Sequence, residues 1–125
     1  MSVRIIDWKS GVATTTDAAT PATICESDNI PTGATATVDV YIQGRDAAGN
    51  IASTSFQHRA RNVGGTLTLV GSITNLVTMA LGSDAALSTA AASITSVAGP
   101  KLRLQVNGVV ATTIEWFGDV RVRVN

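Results

Sequence analysis

The stretches 37–43 and 51–61 show a period of two in their residue types, and this restricts the fold more than any other feature of the chain. A period of two is typical of β-strands that have one buried and one exposed face. The stretch 44–50 between them is rich in Gly, Asp and Asn, which indicates a turn. The two stretches therefore predict one long β-hairpin. The buried face of its second strand is predicted to carry Ala52, Thr54, Phe56, His58 and Ala60.

The carboxy-terminal third of the chain shows the same alternation in the stretches 102–106 and 114–124. Asn107-Gly108 lies between them and is the strongest short-range hairpin signal, because both residue types tolerate positive φ. Gly118 falls within the apolar series of the last stretch and predicts a β-bulge. The opposite face of that strand is predicted to carry Thr113, Glu115, Phe117, Asp119, Arg121 and Arg123.

The remaining segments are less regular. Residues 3–8 and 66–70 predict two more strands, the second of which is expected to end at Gly71. The stretch 83–93 is ambiguous, because its alanines favour one short helix near 83–92; we expect a strand, because the surroundings are β.

Short strands with frequent turn signals predict an all-β, antiparallel sandwich or barrel. We expect one domain over residues 1–125, with a looser amino-terminal segment of about residues 1–34. Charged residues make up only 14% of the chain, against about 25% in ordinary soluble domains. A small domain with so few charges usually keeps apolar surface that another subunit covers, so we expect a homo-oligomer or contacts with other proteins.

Charge and hydropathy argue against several classes of function. Nine basic and nine acidic residues give a net charge of zero, so a nucleic-acid partner has little support. No apolar run reaches the roughly 18 residues of a membrane span. Arg4, Asp7 and Lys9 interrupt what would be the apolar part of a signal peptide. Cys25 is the only cysteine and is interpreted as a small buried residue.

Candidate catalytic residues are sparse, and we predict neither an enzyme nor a cofactor or metal site. His58 has no neighbouring motif typical of a catalytic site and is in phase with Phe56, so it is expected to face the core or a subunit contact. The loops 28–29 and 46–50 carry oxygen ligands, but without the spacing of a calcium-binding loop.

Glu115 and Asp119 are expected on one face of the last strand, about 13 Å apart. This separation exceeds the one that glycoside hydrolysis uses. Ion pairing with Arg121 and Arg123, further along the same face, is the simpler interpretation of these two acidic residues.

Phe117 adjoins Trp116, so one of these two aromatic side chains must point away from the main core. Because aromatic and arginine residues are enriched at the centres of protein interfaces, we interpret Phe117 as a contact with another chain; an exposed ring or a second core layer is the alternative. Tyr41 allows the same interpretations and also carbohydrate stacking. Outward-facing arginines form two ladders, Arg59 with Arg61 and Arg121 with Arg123. They either face solvent or form salt bridges with another subunit. The candidate interface residues are Tyr41, Arg59, Arg61, Phe117, Arg121 and Arg123.

Four short motifs follow the long hairpin: Val70-Gly71, Asp84-Ala85, Val106-Asn107-Gly108 and Thr113-Ile114-Glu115-Trp116. With the hairpin they make residues 35–125 resemble a small β-module of bacteriophage virion structural proteins. Related modules often place an aromatic residue after the Asp-Ala motif, where this chain has Leu87, so the local packing there is left open.

The resemblance implies a jelly-roll-like sandwich that assembles as a homotrimer on the virion, after synthesis in the host cytoplasm. Related modules tend to be appended to longer fibre proteins, whereas this sequence begins with Met1 and stands alone. A free-standing module suggests a capsid decoration (cement) protein that packs against the major capsid protein. The alternative is a tail or fibre accessory, or a receptor-binding module that binds carbohydrate.

Overall fold

A computed structural model of the chain describes residues 4–70, 77–78 and 83–125, and most of these residues lie in β-strands. The strands in chain order are β1 (Arg4–Thr15), β2 (Ala22–Glu26), β3 (Thr35–Asp46), β4 (Ile51–Val63), β5 (Thr66–Val70), β6 (Val77–Thr78), β7 (Ala91–Val97), β8 (Lys101–Asn107) and β9 (Ile114–Val124). The helical structure in the described ranges is one 3-10 turn, Ala85–Leu87.

The strands form two antiparallel sheets, with the orders β1-β9-β3-β4-β5 and β2-β8-β7-β6. The sheets pack face to face: a Cβ atom on Gly118 of β9 would lie 3.1 Å from Leu104 Cδ2 and 3.4 Å from Ile24 Cδ1 of the other sheet. The predicted all-β sandwich is therefore confirmed. Because β1 pairs with β9 and β2 with β8, the two ends of the chain are wound together as in a jelly roll, whereas β3, β4 and β5 follow one another in simple order.

The core between the sheets is filled mainly by Val, Ile, Leu and Ala, with Trp116 as its largest fully buried side chain. The indole Nε1 of Trp116 donates a hydrogen bond to Thr15 Oγ1 at 2.8 Å. Gly44 lies opposite Trp116 on β3, and a side chain at that position would overlap the indole ring. The ring therefore fits because one neighbouring strand supplies its hydrogen-bond acceptor and the other supplies empty space.

The long hairpin of β3 and β4 is confirmed, although its turn is shorter than predicted. The sequence places the turn at 44–50, whereas β3 continues to Asp46. Asp46 Oδ1 accepts hydrogen bonds from the backbone N–H groups of Ala48 and Asn50, at 3.0 and 2.8 Å. The side chain thus closes the turn that its residue type favours.

The hairpin predicted at Asn107-Gly108 is wrong. β8 belongs to the four-stranded sheet and β9 to the five-stranded sheet, so residues 108–113 carry the chain between sheets. The glycine has a different role, because a Cβ atom on Gly108 would overlap the Thr15 side chain. Within this connection Ala111 adopts a positive φ of 52°.

The bulge predicted at Gly118 is also wrong, because Gly118 pairs in continuous register with Gly11 and Ile42. The register shifts in the described strands lie instead between Ile5 and Asp7 and within β2. The missing side chain at Gly118 makes room for the opposite sheet.

The first strand extends to Thr15, beyond the predicted range 3–8, because β9 offers partners along that length. In the ambiguous stretch 83–93 the expected strand is wrong for residues 83–90, which include the 3-10 turn Ala85–Leu87, and β7 begins only at Ala91. Gly71 lies outside the described residues.

Replacing Thr15 by Val is expected to lower the free energy of unfolding by about 1–3 kcal/mol, because the buried indole N–H would lose its acceptor. Thr15→Ser keeps the hydroxyl group and is expected to cost less. Thr16→Val, at an exposed position, is expected to stay within about 0.5 kcal/mol. Denaturant unfolding measures all three variants, and equal losses for the Val and Ser variants of Thr15 would contradict a role for this hydrogen bond.

Candidate functional site

The side of the five-stranded sheet that faces away from the other sheet, here called the outer face, carries all of the predicted interface residues. Each of them alternates along β3, β4 or β9 with a buried residue of the core. The residues brought together in this way are Tyr41, Arg59, Arg61, Phe117, Arg121 and Arg123.

Exposed apolar side chains are concentrated on the outer face. Of the large apolar side chains that the structure shows exposed, all but Val110 lie there. Val12 and Phe117, exposed by 75% and 46%, are direct cross-strand partners on β1 and β9. Trp8, four residues from Val12 along β1, and Tyr41, opposite Asp119 on β3, are exposed by 65% and 38%. Exposed apolar clusters of this kind mark interaction surfaces.

Neither Trp8 nor Val12 was predicted to be an interface residue: the first strand was predicted to end at Trp8, and Val12 was placed outside it. Both residues fall in the outward series of β1, opposite Arg121 and Phe117 of β9. Their alternation with Lys9, Gly11 and Ala13 was the available signal, but Thr- and Ala-rich surroundings obscured it.

Asp39 is the centre of a hydrogen-bonded charge network on the outer face. Arg123 Nη1 donates to Asp39 Oδ2, and Arg121 Nε lies 3.9 Å from the same oxygen. Gln57 Nε2 donates to Asp39 Oδ1 at 2.7 Å, and Gln57 Oε1 accepts a hydrogen bond from Arg59 Nη2 at 3.2 Å. The hydrogen bond from Gln57, followed by the effects of Arg123 and Arg121, holds the pKa of Asp39 below its usual value against partial burial.

The predicted pairing of Arg121 and Arg123 with Glu115 and Asp119 is therefore wrong. Glu115 pairs instead with its cross-strand neighbour Arg45, at 3.5 Å. Among the described residues Asp119 has no ion-pair partner. Cross-strand neighbours lie about 5 Å apart, closer than the roughly 7 Å between same-face residues of one strand, so acids on the adjacent strand are the nearer partners.

The guanidinium group of Arg121 joins the charged and apolar parts of the outer face. Its Cζ lies 5.4 Å from the centroid of the Trp8 ring, a cation–π geometry. Its Nε is buried without a hydrogen-bond partner, although Asp39 Oδ2 is nearby. One ring face of Trp8 is consequently covered by a residue of its own chain.

The open grooves on the outer face include the following two. The larger, of about 790 Å³, is lined by side chains that include Val12, Gln43, Arg45, Glu115 and Phe117. The smaller, of about 430 Å³, is lined by residues that include Thr35, Thr37, Arg59, Arg61 and Val63. Within the described ranges no group of three or more His, Cys, Asp or Glu residues is placed to hold a metal ion.

His58 faces the core, as predicted, with 1% of its surface exposed. Its ring packs edge-on against Phe56, with 5.2 Å between the centroids. Burial lowers the pKa of His58, and its Nε2 is buried without a hydrogen-bond partner. Cys25 is half-buried rather than buried, with Sγ 3.9 Å from the backbone oxygen of Lys9.

The parts of the chain that the structure describes contain no helix long and apolar enough to cross a membrane. No known protein family, curated protein or solved structure matches the chain.

Acidification is expected to destabilise the fold through His58. Because the pKa is lower in the folded than in the unfolded chain, the unfolded chain binds a proton first as the pH falls below about 6.5. The stability present above that pH is then lost, with a slope of at most about 1.4 kcal/mol per pH unit. Unfolding measured between pH 7.5 and 5 in the wild type and in His58→Leu tests this. An identical pH slope in the two proteins would contradict it.

Asp39→Asn is expected to lower the free energy of unfolding by about 1 kcal/mol at pH 7, because Arg121 and Arg123 lose their shared carboxylate. The difference from wild type is expected to shrink as the pH falls below about 3.9, where Asp39 of the unfolded chain gains a proton, and to disappear below the lower pKa of Asp39 in the folded chain. Glu115→Gln, which removes a more exposed pair, is the matched control and is expected to cost at most about 0.5 kcal/mol. Urea unfolding at several pH values measures both.

Proposed function

We propose that this chain is a bacteriophage virion structural protein, most specifically a capsid decoration protein that stabilises the particle by packing its outer face against neighbouring proteins. The observation that carries the proposal is the concentration of exposed apolar side chains and arginines on one face of one sheet. The assignment to a phage particle comes from the resemblance of residues 35–125 to virion modules.

The outer face has the composition of an interaction surface. Phe117, Val12 and Trp8 supply apolar area, whose burial is the main favourable term in protein association. The arginines around them suit contacts with carboxylates, because a guanidinium group can donate two parallel hydrogen bonds. The Asp39 network already holds Arg121 and Arg123 in place, so binding would cost less side-chain entropy.

Such a protein acts mechanically. Every copy that bridges neighbouring shell subunits adds buried area, and a partner that binds only the assembled state stabilises that state by mass action. The partners proposed are further copies of the chain and the major capsid protein.

A tail or receptor-binding module that stacks on carbohydrate is the second candidate, favoured by the exposed rings of Trp8, Tyr41 and Phe117. The geometry favours it less, because Arg121 covers one face of the Trp8 ring and the Tyr41 hydroxyl donates to Gln43 Oε1 at 2.6 Å.

Particles purified from cells that produce the chain provide the test. Mass spectrometry and electron microscopy are expected to find copies in a fixed ratio to the major capsid protein, and particles without the chain are expected to rupture at lower temperature. Phe117→Asp is expected to fold but to be lost from particles. Val110→Asp, at an exposed residue off the outer face, is the control and is expected to be retained. A few copies at the tail would favour the second candidate, and absence from particles would refute both.

A further inference from the structure

The outer face is arranged with complementary residues on either side of one row of cross-strand partners. This central row consists of Ser10 on β1, Asp119 on β9, Tyr41 on β3 and Ser55 on β4.

Complementary residues stand at equal distances from the central row. On β1, Trp8 and Val12 stand two residues to either side of Ser10. On β9, Arg121 and Phe117 stand two residues from Asp119, and Arg123 and Glu115 stand four residues from it. Across the central row, the ring of Trp8 thus corresponds to the aliphatic Val12. The cation Arg121 corresponds to the ring of Phe117, and the cation Arg123 to the anion Glu115.

We infer that the occupant of the outer face is a second copy of the same face, related by a two-fold axis that runs across the strands above the central row. The inference rests on the proposed use of this face for protein packing. In a two-fold contact each residue meets the partner residue on the other side of the axis. Val12 then meets the partner's Trp8, Phe117 meets the partner's Arg121, and Glu115 meets the partner's Arg123. These are apolar, cation–π and ion-pair contacts in one register.

Neighbouring registers are less favourable. An axis above Phe117 would place Glu115 against the partner's Asp119 twice, and like charges facing each other are repulsive. An axis above Arg121 would place Arg121 against the partner's Arg121 and Asp39 against the partner's Asp39, which are two contacts between like charges. The register above Asp119 also gives the greatest overlap, because Asp119 is the middle of the outward series that runs from Glu115 to Arg123.

The area available fits a stable dimer. The four long strands β1, β9, β3 and β4 make a face about 19 Å wide and roughly 37 Å long, from the usual strand spacing and rise. This is about 700 Å² per copy, close to the roughly 800 Å² that each partner of a standard interface buries. Because the strands of two packed, twisted sheets cross at about 30°, the two faces are in closest contact at the axis and diverge towards the ends of the strands.

Asp119 makes the unfavourable contact of this register, because it faces the partner's Asp119 across the axis. Its lack of an ion-pair partner among the described residues leaves the charge uncompensated within one chain. Asp119→Asn removes this repulsion, so the substitution is expected to tighten the dimer.

Sedimentation equilibrium of the purified chain is the first test, with an expected mass twice the 12.8 kDa of one chain. Val12→Ser is expected to weaken dimerisation about tenfold or more, because Val12 lies in the overlap. Val63→Ser makes the same change at a similarly exposed residue of the outer face beyond the overlap, and is expected to change the Kd by less than about twofold. A monomer, the trimer that the resemblance implies, equal effects of the two substitutions, or a weaker dimer for Asp119→Asn would each overturn the inference.

Cross-linking tests the register itself. In a Cys25→Ala background, Ser55→Cys places one thiol on each side of the axis, within reach of a bismaleimide that spans about 10 Å, the separation of stacked sheets. Covalent dimers are expected for Ser55→Cys and not for Ser96→Cys, an exposed position on β7 of the other sheet. Equal cross-linking at both positions would contradict the register. A monomeric chain found on particles would refute this inference alone, whereas a dimer that is absent from particles would refute the proposed function alone.

Discussion

The pairing of β9 with β1 on one side and β3 on the other is the constraint on which the rest of the structure depends. Along β9, residues that face the core alternate with residues that face outward. A register slip of one residue would therefore exchange the environments of Trp116 and Phe117. The hydrogen bond from Trp116 to Thr15 and the space left by Gly44 oppose such a slip, because only one register offers both.

The outer face follows directly from that register. Asp39 meets Arg121 and Arg123 because β3 pairs with β9 along their length, and Arg121 meets Trp8 because β1 pairs on the other side. The arrangement combines fixed charges with exposed apolar groups on a surface of regular strands. Binding surfaces built on strands are held more rigidly than those on loops, which is suited to the proposed role in protein packing.

The alternation of residue types was sufficient to predict the sandwich class, the β3–β4 hairpin, the inward position of His58 and the outward direction of each candidate residue. It could not predict which sheet a strand joins. Asn107-Gly108 has the composition of a tight turn, but the chain crosses between sheets there, and Gly108 is required by contact with Thr15, 93 positions earlier in the chain.

Charge partners were predicted wrongly for the same reason. Proximity along one strand favoured Glu115 and Asp119 as partners of the arginines, whereas the actual partner, Asp39, lies on a strand that is distant in sequence. Period-two patterns report which way a side chain points, and they carry no information about its neighbour on the next strand. Trp8 and Val12 were missed because their strand has a weak pattern and is fixed by its partner.

The position of β9 between β1 and β3 also determines the order in which the molecule can be assembled during translation. The strands β3, β4 and β5 are synthesised before β9 and can pair as soon as they emerge from the ribosome. β1 emerges first and yet has no neighbour in its sheet until residues 114–124 follow. Until then the edge of β3 is an open template for unwanted strand pairing. Closure of the sheet by β9 is therefore a late, long-range event of the kind that makes β-proteins fold slowly.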